Sequence, residues 1–146
     1  MARRFTLVEA QGLLPRVEAL LRQAIELKSE YQAAEETVQA FAQRVSLMGG
    51  MLVNREQVID ARSRRDEAGA QLKIAIEQVQ EFGCVVKDLD IGLIDFPTLL
   101  RGVEVYLCWK LGEPAIAWWH GVEEGFRGRK AIDQDFLDHH RGDRAQ

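Results

Sequence analysis

A chain of 146 residues suits one domain, or one domain with an appendage. Hydrophobic residues at 47% and charged residues at 29% exclude wholesale disorder, and no apolar run is long enough to span a membrane. A net charge of −4 argues against general nucleic-acid binding, and two cysteines cannot build a disulfide framework.

Arg3 and Arg4 would suit a secretion signal, but Glu9, Gln11, Pro15, Arg16 and Glu18 interrupt the apolar stretch a signal needs. A cytoplasmic protein with reduced thiols is expected. Residues 1–83 read as a helical hairpin. Thr6 and Glu9 have capping-box spacing, and Phe5 is placed to staple against Ala10. Gly12 and Pro15 then predict a short first helix followed by a kink or restart at Pro15.

From there Leu13, Val17, Leu20, Ala24, Leu27, Tyr31, Ala34, Val38, Phe41, Val45 and Met48 follow at alternating spacings of 4 and 3, a heptad seam. Gly49-Gly50 stops it. A second seam runs through Val58, Ala61, Arg65, Ala68, Leu72, Ala75, Val79 and Phe82, and Gly83 stands where a C-cap glycine is wanted. The short break between the seams predicts antiparallel arms over 16–48 and 54–82. The first arm would be roughly 50 Å long at about 1.5 Å per residue.

Arg65 stands in a slot that should be apolar. Either its stem packs while its head reaches water, or it sets the register by pairing with Glu35 or Glu36 on the facing helix. Tyr31, Val38 and Phe41 exceed what a facing helix bearing Ala61, Ala68 and Ala75 can cover, so these three are candidate interface residues of a homo-oligomer.

Residues 84–130 change to β-branched and aromatic residues punctuated by Gly and Pro, a pattern that predicts a meander. Strands are expected at 84–88, 93–100, 103–111 and 116–120, with Arg101-Gly102 as a two-residue hairpin turn. Pro97 points to an irregular strand or a free edge. Gly125 to Arg129 reads as a loop with one apolar anchor, Phe126. Residues 131–146 read as a polar tail that frays, despite a short helical signal at Phe136-Leu137.

Phe5-Thr6, Glu9-Ala10, Leu13-Leu14-Pro15, Lys87-Asp88-Leu89-Asp90 with Gly92-Leu93, and Asp95-Phe96-Pro97 form a distinctive series. Cys108-Trp109 with Leu111-Gly112-Glu113, Trp119-His120, and Gly125-Phe126 with Gly128-Arg129 continue it. On these residues the chain resembles the uncharacterised bacterial family catalogued as domain of unknown function 2203, from residue 5 to about 130. The resemblance implies a compact bacterial protein of this size and brings no catalytic residue with it.

The turn assignments fix a register. A two-residue turn at Arg101-Gly102 sets Asp95 across from Cys108. A turn centred on Glu113 sets Tyr106 across from His120 and Cys108 across from Trp118. Asp95, Glu104, Tyr106, Cys108, Lys110, Trp118 and His120 then share one face. Ile94, Phe96, Val105, Leu107, Trp109 and Trp119 share the other, a core face against the helices.

Carboxylate, thiol and imidazole on one face suit a divalent-metal site, or a nucleophilic Cys108 activated by His120. The simpler account is the ordinary population of a sheet face that points at water. Asp90 and Glu113, in adjacent turns, are further candidate metal ligands beside Asp95, Cys108 and His120. Asp88, Asp90 and Asp95 imitate the front of a calcium loop but lack its distant glutamate, so a plain Asp-Gly turn is the simpler account. His139-His140 reads as a solvated pair, the three tryptophans as packing residues, and Arg62, Arg64 and Arg65 as part of a solvated helix face.

The expected fold is α+β, a long antiparallel helical hairpin packed on a three- or four-stranded antiparallel meander. The expected function is a non-enzymatic interaction or assembly protein, homo-oligomeric, without cofactor, nucleic acid or membrane. The alternative is a protein or hydrolase that binds zinc or another divalent cation on the sheet face.

Overall fold

The structure is a computed structural model and describes residues 3–48 and 54–143. The capping box forms as the sequence predicts. Thr6 Oγ1 accepts from the Glu9 amide at 3.1 Å, and Glu9 Oε1 accepts from the Thr6 amide at 2.9 Å. Helix α1 then runs Leu7–Met48 and is not interrupted at Pro15. The restart expected at Pro15 does not occur. Pro15 and Gly12 lie on the exposed side of the helix, between the buried side chains of Ala10, Leu14 and Val17. The proline removes one helical hydrogen bond there, and the buried stripe on the opposite side holds the helix together.

Helix α2 spans Arg55–Glu81. The chain divides into two compact units, Gln23–Ala75 and one that joins the chain up to Arg22 with the chain from Ile76. In Gln23–Ala75 the arms of α1 and α2 lie antiparallel. Ala24, Leu27 and Val38 are buried on one arm, and Ala61, Ala68 and Ala75 on the other. The Tyr31 ring lies over Gly69, where a β-carbon would stand only 3.2 Å away.

Val38 is 7% exposed and therefore covered within the hairpin itself, contrary to the expectation that it needs a second chain. Tyr31 is half-buried because Gly69 leaves room for its ring, and Phe41 is half-buried as well. Arg65 does what both readings asked: its side chain is 26% exposed, with Nη1 3.5 Å from Glu35 and Nε 3.0 Å from Asp66. The Gly49-Gly50 stop lies outside the described residues.

The other unit carries the sheet. Its strands are β1 (Val85–Asp88), β2 (Leu93–Leu100), β3 (Val103–Lys110), β4 (Trp118–Gly121), β5 (Lys130–Ala131) and β6 (His140–Arg141). The order is β1-β2-β3-β4-β5, with β6 beside β2 and every pairing antiparallel. Six strands replace the three or four expected. Arg101 and Gly102 have φ of 52° and 82°, the left-handed pair that a tight hairpin turn requires. The register that follows is the one read from the sequence: Asp95 opposes Cys108, Tyr106 opposes His120, and Cys108 opposes Trp118.

Pro97 sits in the gap along β2 between β1, which pairs Leu93–Asp95, and β6, which pairs Leu99 and Leu100. There its carbonyl accepts from the Phe5 amide at 2.7 Å, so the missing N–H costs no ladder bond to β3. Phe5 and Phe96 meet edge to face at 5.4 Å, both fully buried. They stand in the core with Ile94, Leu107, Trp109, Leu14, Val17, Leu21 and Val79.

The polar tail is the main correction. Asp133 caps a short helix α3 (Gln134–His139), and Phe136 is 1% exposed between Trp119 at 5.3 Å and His140 at 5.2 Å. The Leu7 amide donates to His140 Nε2 at 3.0 Å, and Thr98 Oγ1 donates to the Arg141 carbonyl at 3.2 Å. His140 thus serves as an acceptor at the start of α1, where a solvated pair was expected. No helix among the described residues is long and apolar enough to cross a membrane.

Candidate metal centre

Alternation along β2, β3 and β4 turns Asp95, Cys108 and His120 away from the face that bears Phe96, Leu107 and Trp109. This second face does not point at water where the three residues stand. Asp95 is 1% exposed, Cys108 0% and His120 2%. A layer of long side chains lies on the same face. The Lys87 ammonium is 4.9 Å from the Tyr106 ring centre, and the Arg129 guanidinium is 5.2 Å from Trp118 and 4.8 Å from Phe126. Such side chains bury apolar stems while their charged heads stay near solvent.

Within the cluster His120 is held at both nitrogens. Nδ1 lies 2.7 Å from the Gly121 carbonyl, which can only accept, so Nδ1 carries a hydrogen. Nε2 faces the Asp95 carboxylate, 3.0 Å from each oxygen. One donor atom from each of Asp95, Cys108 and His120 lies within 4.8 Å of the others.

Burial pushes the Cys108 thiol up to about 12. The Asp95 carboxylate adds to the rise, and the Arg129 guanidinium opposes it. A thiol held protonated in this way is a poor nucleophile, so the reading of Cys108 as a covalent catalyst loses its support. A divalent cation would reverse the balance, because a coordinated thiol gives up its proton.

The two candidate ligands from the turns do not join the group. Among the described residues the cluster is Asp95, Cys108 and His120. Glu113 is engaged elsewhere: its Oε1 accepts from the Lys110 amide at 2.7 Å, and both its oxygens lie 2.7 Å from Arg129 Nη2. Asp90 is exposed in the β1–β2 turn, where its amide donates to Asp88 at 2.9 Å. That turn, with Gly92 at φ 69°, is the plain Asp-Gly turn of the simpler account.

Sequence reasoning missed two parts of the site. One is the Gly121 carbonyl that orients His120. The other is Arg129, read as loop. Trp118 pairs with Ala131 and Trp119 with Lys130, so the same register carried one residue further brings Arg129 opposite His120. The pairing of β5 was the signal, and two residues of strand are too few to see in a sequence.

Fold and site together define an α+β protein with an Asp–Cys–His cluster buried in the middle of its sheet. The chain belongs to the family described as "Uncharacterized conserved protein (DUF2203)", which it matches over residues 3–132. That stretch includes all three cluster residues and Arg129. Comparison with curated proteins and with solved structures gives no match.

Proposed function

We propose that this protein binds a divalent cation of the zinc type through Asp95 Oδ, Cys108 Sγ and His120 Nε2. The observation that carries the reading is the convergence of these three donors within 4.8 Å at a buried point. The hydrogen bond from Nδ1 to the Gly121 carbonyl supports it, since Nε2, here hydrogen-bonded to Asp95, is the nitrogen that ligates once the hydrogen it shares with Asp95 is released. Carboxylate and thiolate together balance a charge of plus two, which matters where water is excluded. A mixed oxygen, nitrogen and sulfur set favours zinc over the oxygen-seeking magnesium and calcium. Donors around tetrahedral zinc stand roughly 3.3–3.8 Å apart, so the widest present separation closes by about 1 Å on loading.

The test is metal analysis and zinc titration of protein purified without a histidine tag. One equivalent should bind, with proton release, and Cys108→Ser or His120→Ala should weaken binding by at least tenfold, about what the loss of a mere supporting partner costs. Zinc affinity that is unchanged in both variants would place the metal elsewhere and end the reading.

Assembly through the hairpin is a second reading, favoured by Leu47 at 75%, Ile59 at 58%, Ile74 at 53% and Val45 at 47% exposure. It is compatible with the first, because it uses Gln23–Ala75 and none of the cluster residues.

A further inference from the structure

Three protein ligands leave one position of a four-coordinate cation for something else. Arg129 lies on the same face of the sheet, where its charge acts on the Cys108 thiol. It follows the register to a place opposite His120, and its guanidinium stacks on Trp118, the cross-strand partner of Cys108. Its side chain is 10% exposed. Both Glu113 oxygens are taken up by Nη2, and Nε is buried without a hydrogen-bond partner. An N–H buried in this way is costly unless something accepts from it.

The surrounding charge points to the sign of the missing partner. With Asp95 and Cys108 neutralised by the cation, the same face still carries Lys87, Lys110 and Arg129. The carboxylates there are paired with arginines, Glu113 with Arg129 and Glu104 with Arg4. The cover is thin as well: Trp118 is 37% exposed and Phe126 39%.

We infer that the metal's fourth position takes a small oxyanion, a phosphate or a carboxylate, with Arg129 Nε–H as its second anchor. The inference rests on the metal reading above. It makes the centre a metal-plus-arginine clamp for an oxyanion, the arrangement that favours a planar or tetrahedral anion over halide or water.

The test uses the full chain loaded with one equivalent of Co²⁺, whose sulfur charge-transfer band reports the Cys108 bond and whose visible bands report the fourth ligand. Inorganic phosphate and acetate are titrated in turn, with chloride at matched ionic strength as the control. A saturable change with either oxyanion and none with chloride supports the inference. Phosphate alone, acetate alone or both then assigns the source. Arg129→Gln should leave Co²⁺ stoichiometry intact and weaken the oxyanion by about tenfold or more, the worth of one charge-assisted hydrogen bond. If circular dichroism shows that Arg129→Gln does not fold, Arg129→Lys is read instead, with a weakening of about threefold or more, because lysine keeps the charge and loses the fixed fork. Co²⁺ that binds through Cys108 but ignores both oxyanions overturns this inference and leaves the metal reading standing. So does an oxyanion affinity that the folded Arg129 variants do not change. Failure of Co²⁺ to bind overturns both.

Discussion

Two buried thiols sit in this chain, and their surroundings give them different uses. Cys108 has a carboxylate, an imidazole and a guanidinium around it. Cys84 Sγ donates to the Val79 carbonyl at 3.2 Å, and the side chain behaves as a small core hydrophobe. Burial pushes the Cys84 thiol up to about 11. The unfolded chain releases that proton near the usual thiol value of about 8.5. Between those values the unfolded state holds fewer protons than the folded one, so stability falls as pH rises through that window. The slope is at most about 1.4 kcal/mol per pH unit for one such group. Urea unfolding of reduced protein at pH 8 and pH 11 should therefore show a smaller alkaline loss in Cys84→Ala than in the parent chain. Equal losses in the two would mean that Cys84 titrates no differently when folded.

At the scale of elements the C-terminal segment matters most, because its strands take the sheet from the three or four expected to six. Its hold on the sheet is Phe136, fully enclosed by Trp119 and His140. Phe136→Ala should cost about 3–5 kcal/mol in urea unfolding, whereas Leu137→Ala, at an exposed neighbour, should stay within about 0.5. A Phe136→Ala loss below about 1 kcal/mol would mean that α3 and β6 are not part of the folding unit. The register of β2, β3 and β4 was legible because Arg101-Gly102 and the turn at Glu113 leave little freedom, and one residue of slip would put Asp95 in the apolar core. The tail was not legible, because one phenylalanine in a polar run carries no periodicity. Pro15 misled for a related reason: a proline breaks a helix by rule, but here it falls on the exposed side of a turn whose other side is buried. The site was half legible. Residue types and face followed from the register, while the burial of that face, which a polar composition does not announce, did not.

For the molecule as a whole the open question is how many copies act together, and the exposed apolar residues of Gln23–Ala75 give it a direction. Val38 is covered within the chain and Tyr31 and Phe41 are half-buried, so the argument for a partner passes mainly to the exposed Leu47, Ile59, Ile74 and Val45. Apolar side chains left open on two adjacent helical arms favour a self-complementary contact between two copies, the commonest symmetric assembly. The net charge of −4 on each copy opposes that contact, and salt screens such repulsion while leaving apolar burial in place. Light scattering at micromolar concentration should therefore give twice the chain mass. The dimer fraction should rise between about 0.05 and 0.5 M salt, as the screening length shortens from above 10 Å to below 5 Å. Ile59→Glu should shift the population to monomer without lowering helix content, because a buried, unpaired carboxylate costs several kcal/mol at an interface and almost nothing in solvent. A parent chain that stays monomeric at every salt concentration would show that these side chains are tolerated surface hydrophobes and that the hairpin needs no second copy.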